Sequence, residues 1–317
     1  MLLVDGKRLD DPHFPYIICE ASGNHAQDYD KACALVYTAA AAGADAIKWQ
    51  TYTAEEICAD VPLLFGHDPA HDAWCQRMGV TRMRELFSKG GLPREWHAPL
   101  KQEAEGLGLT FLSTPFSVGS AKFLVEDIGV PALKIASGDL TFTPLMAYAA
   151  STGLPLIVST GGATLDECKQ ACESPLEDAW MGERLALLHC CSVYPSMPAM
   201  MNLRCLVTLA RELDVPVGLS DHTLSTELVP ALACMLGASL FEKHMRLAGD
   251  STSVDAGHAL DPGQFCTYVQ TIRGMASVLG DGVKRPQPEE MHDKLWARRS
   301  PLDWLRPTEE ARAGRWE

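Results

Sequence analysis

Short, almost continuously apolar runs recur along the chain, and each stops abruptly in polar residues able to do chemistry. Eight such runs are Tyr16–Ser22, Ala44–Thr51, Leu109–Phe116, Pro131–Gly138, Leu154–Gly162, Leu185–Pro195, Pro216–Thr223 and Leu240–Met245. Runs without polar alternation have no solvated face, so they read as strands of a parallel sheet covered on both sides. Helix-length segments separate them. Asp28 caps an alanine-rich helix running to Gly43, and further helices are expected over 94–108, 117–129, 143–153, 164–174, 203–213 and 225–237. Pro144 suits a first turn, while Ser225 and Gly237 serve as N-cap and C-cap. Asp261-Pro262 opens a closing helix to Gly280. Eight βα units close most simply into an α/β fold, the (β/α)8 TIM barrel. The open doubly wound sheet is second, weakened by the count of eight and by the lack of a Gly-x-Gly-x-x-Gly turn after the first strand.

Two segments break the pattern. Residues 52–93, with His67, His71 and Trp74, are too long for a tight connection and read as an inserted active-site loop with some helix of its own. Beyond the barrel at 1–280, residues 281–317 are charged and linker-like, with Trp296 and Trp304 available for docking.

Composition narrows the function classes. A length of 317 residues with 47% apolar content suits one barrel. The N-terminus lacks a signal-peptide pattern and no apolar run approaches the ~18 residues of a membrane span, so a cytoplasmic protein is expected. The eleven cysteines sit singly in apolar segments or as the adjacent pair Cys190-Cys191, so reduced thiols are expected. A net charge of −14 argues against nucleic acid as a partner but leaves room for a small anion in a local pocket of lysines.

Candidate chemistry collects at the strand C-terminal ends, which in a barrel converge on one mouth. Glu20, Lys48, Ser113-Thr114, Lys134 with Ser137, Ser159-Thr160, Ser192 with Tyr194, Ser220 with His222, and Lys243-His244 all sit there. One serine after a strand is an ordinary helix cap; eight endings in succession are a site. Lys48, Lys134 and Lys243 with neighbouring hydroxyls fit a small phosphorylated anion. No Gly-x-x-x-x-Gly-Lys-[Ser/Thr] loop points to a nucleotide triphosphate. His222 and His244, on neighbouring strands with Asp221 and Glu242 available to orient the rings, form a candidate site for Mn²⁺, Fe²⁺, Co²⁺ or Zn²⁺. Asp255 and His258 read either as further ligands or acid–base groups, or as turn residues before the last helix.

The ordered motifs Glu20-x-x-x-Asn24-His25, Gly43-Ala-Asp-Ala-Ile-Lys-Trp-Gln-Thr51, Phe111-Leu-Ser-Thr-Pro-Phe116, Lys134-Ile-Ala-Ser-Gly138, Ser159-Thr-Gly161, His189-Cys-x-Ser-x-Tyr-Pro195, Gly218-Leu-Ser-Asp-His-Thr223 and Glu242-Lys-His244 resemble the sialic acid synthases. The resemblance implies condensation of phosphoenolpyruvate (PEP) with the open-chain aldehyde of a hexose derivative, giving a 2-keto-3-deoxy sugar acid and phosphate. It implies that His222 and His244 hold a divalent metal, Mn²⁺ first, with Mg²⁺ or Co²⁺ as alternatives. It assigns Lys48, Lys134, Ser137, Ser159, Ser192 and Ser220 to PEP, and Gln50, Tyr194 and Asn24 to the sugar acceptor. Glu20 would activate water and Asp255 would be the second carboxylate. The resemblance also implies a homodimer.

Two departures accompany it. Relatives read Asp-His-Lys-Ala-Ser after the eighth strand, where this chain has Asp255-Ala-Gly-His-Ala259. Relatives also continue past an Arg-Arg-Ser segment into a small antifreeze-like domain that contributes an arginine to the acceptor's N-acetyl group. Here the sequence stops at Glu317, shortly after Arg298-Arg-Ser300, so that domain is expected to be absent and the acceptor to be altered. A catalytically altered paralogue that binds a sugar or phosphate ligand is the alternative.

Overall fold

The computed structural model describes residues 1–63 and 69–315, without the side chains of 69–71 and 77. His67 lies outside the described residues, as does the side chain of His71. Eight strands form one sheet: β1 Tyr16–Glu20, β2 Ala46–Thr51, β3 Thr110–Pro115, β4 Leu133–Ile135, β5 Leu156–Ser159, β6 Leu185–Cys190, β7 Val217–Asp221 and β8 Leu240–His244. They run parallel in the order β3-β2-β1-β8-β7-β6-β5-β4, and β3 and β4 lie side by side at the seam without a paired register. With helices between them this is the expected (β/α)8 barrel, with strands shorter than the apolar runs at one end or both.

Strand side chains alternate between two apolar layers. Ile18, Ala46, Leu112, Ala132, Ile157, Ala186, Leu188 and Leu240 fill the barrel interior. Leu2, Val4 and Leu9 join this inner cluster from a small hairpin, Leu3–Val4 with Lys7–Arg8, which the sequence pattern did not indicate. The opposite parity, including Ile17, Ile47, Trp49, Phe111, Leu187, Leu219 and Phe241, packs against Leu35, Leu100, Leu145, Leu206 and Phe265 of the surrounding helices. Each fully buried side chain of this size contributes about 1.5–3 kcal/mol. Gly218 is required by the tight interior: a Cβ there would lie 2.6 Å from Leu240 Cβ and 2.8 Å from Leu188 Cδ2.

Local signals set the helices as read. Asp28 accepts from the backbone N–H groups of Asp30 and Lys31 at the start of Tyr29–Ala41. Thr164 and Glu167 form a capping box. The closing helix spans Pro262–Leu279. The segment expected as one helix over 117–129 is instead an α-turn, Val118–Lys122, that widens into a π-helix, Phe123–Ile128, and ends at Gly129 with φ +69°. The long 52–93 connection carries helices Ala54–Ile57, Pro69–Met78 and Met83–Phe87.

The chain divides into compact units at Met1–Val278 and Leu279–Glu317. The second holds helices Glu290–Ala297 and Glu309–Arg312. It is tied internally by the Thr308 N–H to the Leu295 carbonyl (3.0 Å) and by the Arg312–Asp303 ion pair (2.6 Å). This is more local order than its linker-like composition indicates. Among the described residues no helix is long and apolar enough to cross a membrane.

Candidate active site

The pleat decides which strand-end residues meet. Glu20, Lys48, Lys134, Ser159, Ser220 and Glu242 share the inward parity of the barrel-filling residues, one layer above them. All six are buried. Lys48 Nζ lies 2.5 Å from Glu20 Oε2, 2.9 Å from Thr114 Oγ1 and 3.5 Å from Glu242 Oε2. Lys134 Nζ donates to Ser159 Oγ (2.6 Å) and the Ile135 carbonyl (3.1 Å), with Glu242 Oε2 at 3.8 Å. Ser220 donates to Glu242 Oε1 at 2.9 Å, and Gln50 Nε2 reaches Glu20 Oε1 at 3.4 Å. Two ammoniums and two carboxylates thus interleave at the floor of the mouth, where each charge would be costly alone.

The two carboxylates are driven apart. Burial, with the Glu242 charge adding to it and Lys48 opposing it, raises Glu20 to about 7. Burial also disfavours the Glu242 anion, but Lys134 and Lys48 outweigh it and hold the group at about 2. One is a permanent anion between the lysines; the other is poised to exchange a proton near neutrality. Burial lowers Lys134, although Glu242 opposes this.

Beside Lys134 the backbone forms a small cradle. The Gly161 N–H donates to Ser137 Oγ (2.9 Å), which lies 3.1 Å from Cys190 Sγ. A Cβ on Gly161 would come within 2.6 Å of Cys190 Sγ and 3.0 Å of Ser137 Oγ, and closer still to Ser192 Oγ. Ser137, Ser192 and Gly161 therefore converge on one point.

Next to this network, the β8 register pairs His244 with Glu20 on the adjacent strand. Its ring centroid is 5.5 Å from His222 and 4.5 Å from His258, so three imidazoles gather rather than two. Tyr194 covers them from the rim, its ring 4.3 Å from His222 and 5.0 Å from His258. His222 Nδ1 donates to the Cys191 carbonyl (3.0 Å), leaving Nε2 as the lone-pair nitrogen. Burial keeps these rings neutral, lowering His222 to about 4 and His244 well below its ordinary value. Asp255 is oriented by the Ser22 hydroxyl and the Gly23 N–H (3.3 Å), both on its Oδ2. The set fits a divalent metal: His244 Nδ1 and His258 Nε2 are buried without a hydrogen-bond partner, as ligand nitrogens would be before binding.

Two sequence readings are corrected. Lys243 is not part of an anion pocket: it shares parity with Phe241, faces the helix layer, and pairs with Asp221 (3.3 Å) under the Tyr268 ring. Asp221 and Glu242 do not orient the imidazoles, because the first serves Lys243 and the second the lysine network. Asn24 is fully buried and spent internally. It donates to the Met245 carbonyl (2.9 Å) and accepts from Ser253 (2.8 Å), which braces the loop after β8. Period-two alternation already carried the first signal, since Glu242 and His244 cannot share a face with the lysine between them. The central place of Glu242 and the cradle role of Gly161 carried no local signal.

A parallel eight-stranded barrel with buried lysines, carboxylates and imidazoles at its C-terminal mouth is an enzyme architecture for small anionic substrates. The sequence pattern of the NeuB family matches residues 35–284, and the chain belongs to that family. Its nonulosonic acid synthases condense PEP with a sugar. The chain is 37% identical over 290 residues to the N,N'-diacetyllegionaminic acid synthase of Legionella pneumophila, covering 90% of this chain and 79% of that protein. It is 33% identical to a pseudaminic acid synthase of Campylobacter jejuni, over 89% and 80% of the two chains. Among solved structures, the N-acetylneuraminic acid synthetase of Leptospira borgpetersenii, in complex with citrate, superposes with a TM-score of 0.77 at 29% identity, covering 92% of this chain and 94% of that one.

Proposed function

We propose that this chain condenses PEP with an open-chain aldose, N-acetylmannosamine-like or mannose-like, to give a 2-keto-3-deoxy sugar acid and phosphate. The observation that carries the reading is the Lys48–Glu20–Glu242–Lys134 network lying directly beside the imidazole cluster. Lys134, Ser159 and the Ser137–Gly161–Ser192 cradle receive the phosphate and carboxylate of PEP, with Lys48 and Ser220 completing the pocket. PEP C3 bonds to the aldehyde carbon, whose oxygen takes up a proton and becomes a hydroxyl; water adds at C2, and the bond between C2 and the phosphate oxygen breaks as the new C2 hydroxyl gives up its proton and becomes the keto group. Glu20, held near neutrality, takes the proton from that water. Asp255 stands as the second carboxylate on the acceptor side, where Gln50 and Tyr194 line the approach. His222 and His244 would hold the divalent metal, Mn²⁺ before Mg²⁺ or Co²⁺, which when bound supplies Lewis-acid polarisation of the aldehyde.

The test is phosphate release from PEP labelled with ¹⁸O at the bridging position, with Mn²⁺ and a panel of aldoses including N-acetylmannosamine and mannose. Labelled phosphate that appears only with an aldose is the expected result. Folded, Mn²⁺-loaded protein that releases none would overturn the synthase reading in favour of a ligand-binding paralogue.

A further inference from the structure

We propose that His258 and Asp255, from the loop after β8, join His244 as direct ligands of the divalent ion, so that the metal is not held by the His222–His244 pair alone. The proposal rests on the metal-dependent synthase reading and goes beyond it by assigning a histidine that the reaction above leaves unused. One ligand atom from each of His244, Asp255 and His258 can be chosen such that all lie within 4.8 Å of one another. His258 Nε2 is buried without a hydrogen-bond partner, and Asp255 Oδ1, at 3.7 Å, is too distant to satisfy it. His244 Nδ1 is orphaned in the same way. Buried polar nitrogens are nearly always paired, and two orphans beside one carboxylate oxygen mark a shared missing partner.

The loop is built to deliver these groups. Leu260 N–H bonds to the His244 carbonyl (2.9 Å), drawing the chain back alongside β8. The His258 N–H bonds to the Asp255 carbonyl (3.2 Å), a turn that brings the two side chains onto one side. Ser22 and Gly23 occupy Asp255 Oδ2, which leaves Oδ1 facing the imidazoles. Two neutral imidazoles and one carboxylate suit Mn²⁺, Fe²⁺ or Co²⁺ and keep positions open for a substrate oxygen. His222, with its Nδ1 spent on the Cys191 carbonyl and its ring 5.5 Å from His244, stays beside this set as the further imidazole ligand. Asp255 is thereby a ligand and not a proton donor.

Mn²⁺ alone is titrated into metal-stripped protein and free Mn²⁺ is followed by its EPR signal, for wild type and for His244→Gln, His258→Gln, Asp255→Asn and His222→Gln. Metal-free melting temperatures confirm that each variant is folded. One site in the wild type, weakened at least 10-fold by His258→Gln and Asp255→Asn as well as by His244→Gln, is the expected result. Wild-type affinity in His258→Gln, with loss in His244→Gln and His222→Gln, would overturn the proposal while leaving the metal-dependent reading intact. A wild type that binds no Mn²⁺ would overturn both. As a direct check, His258→Cys loaded with Co²⁺ should show a thiolate-to-cobalt charge-transfer band, and its absence from Co²⁺-bound protein also overturns the proposal.

Discussion

At the scale of single residues, the site separates two carboxylates by their surroundings. Glu242 lies between two ammoniums and stays ionised, whereas Glu20 is raised to about 7 by burial with the Glu242 charge nearby. A base is competent only when deprotonated, so turnover should rise with pH through about 7. Glu20→Gln should lower phosphate release by about 10²-fold or more and remove that rise. PEP binding by isothermal titration should persist, because the lysines and the cradle remain. Both carboxylates were visible in the sequence as strand-end residues. Their division of labour was not, because it depends on which lysine each one faces across the barrel.

At the scale of elements, two glycines with little free space should fail in different ways. Gly218 sits in β7 where its Cβ would press on Leu240 and Leu188. Gly218→Ala overpacks the barrel interior and should cost about 1–3 kcal/mol in urea unfolding. Gly161 faces only the side chains of Ser192, Cys190 and Ser137 among its nearest neighbours. Gly161→Ala should leave the unfolding midpoint close to wild type while weakening PEP binding at least 10-fold, since the methyl group occupies the cradle. Equal loss of stability in both variants would refute the distinction. Strands and capped helices were legible here because apolar runs and caps are local signals. The π-helix at Phe123–Ile128 was not, because a widened turn leaves the apolar pattern almost unchanged.

At the scale of the whole molecule, neutral buried histidines link the fold to pH. His25 accepts from the Gln27 N–H and donates to the Gly90 carbonyl, pinning the end of the 52–93 connection to the loop after β1. His97 donates to the Pro93 carbonyl and accepts from Thr51. Burial lowers both to about 4. Below pH 6.5 the unfolded chain protonates at these positions while the folded chain does not, so stability is lost as pH falls from 6.5 towards 4. The loss is at most roughly 3 kcal/mol for each ring. Glu20 opposes it, because its raised value favours the protonated fold between about 7 and 4.5. Urea midpoints should fall across that interval. His97→Gln should start lower at pH 7.5 and show a shallower slope; an unchanged slope would refute the role of His97.

The sequence by itself determined the alternation of eight strands and helices, the gathering of chemistry at strand ends, and the family that the motifs match. These follow from local hydrophobicity, caps and residue order. Only the tertiary structure decided which face each strand presents and which distant groups share a charge. Barrel closure turned Glu242 inward and the adjacent Lys243 outward, and it brought Lys48 and Lys134 from separate strands onto one carboxylate. The return of the loop after β8 likewise carried His258 to His244. Such contacts join residues far apart in the chain, and their energies exist only once the pleat, the register and the buried environment are fixed together.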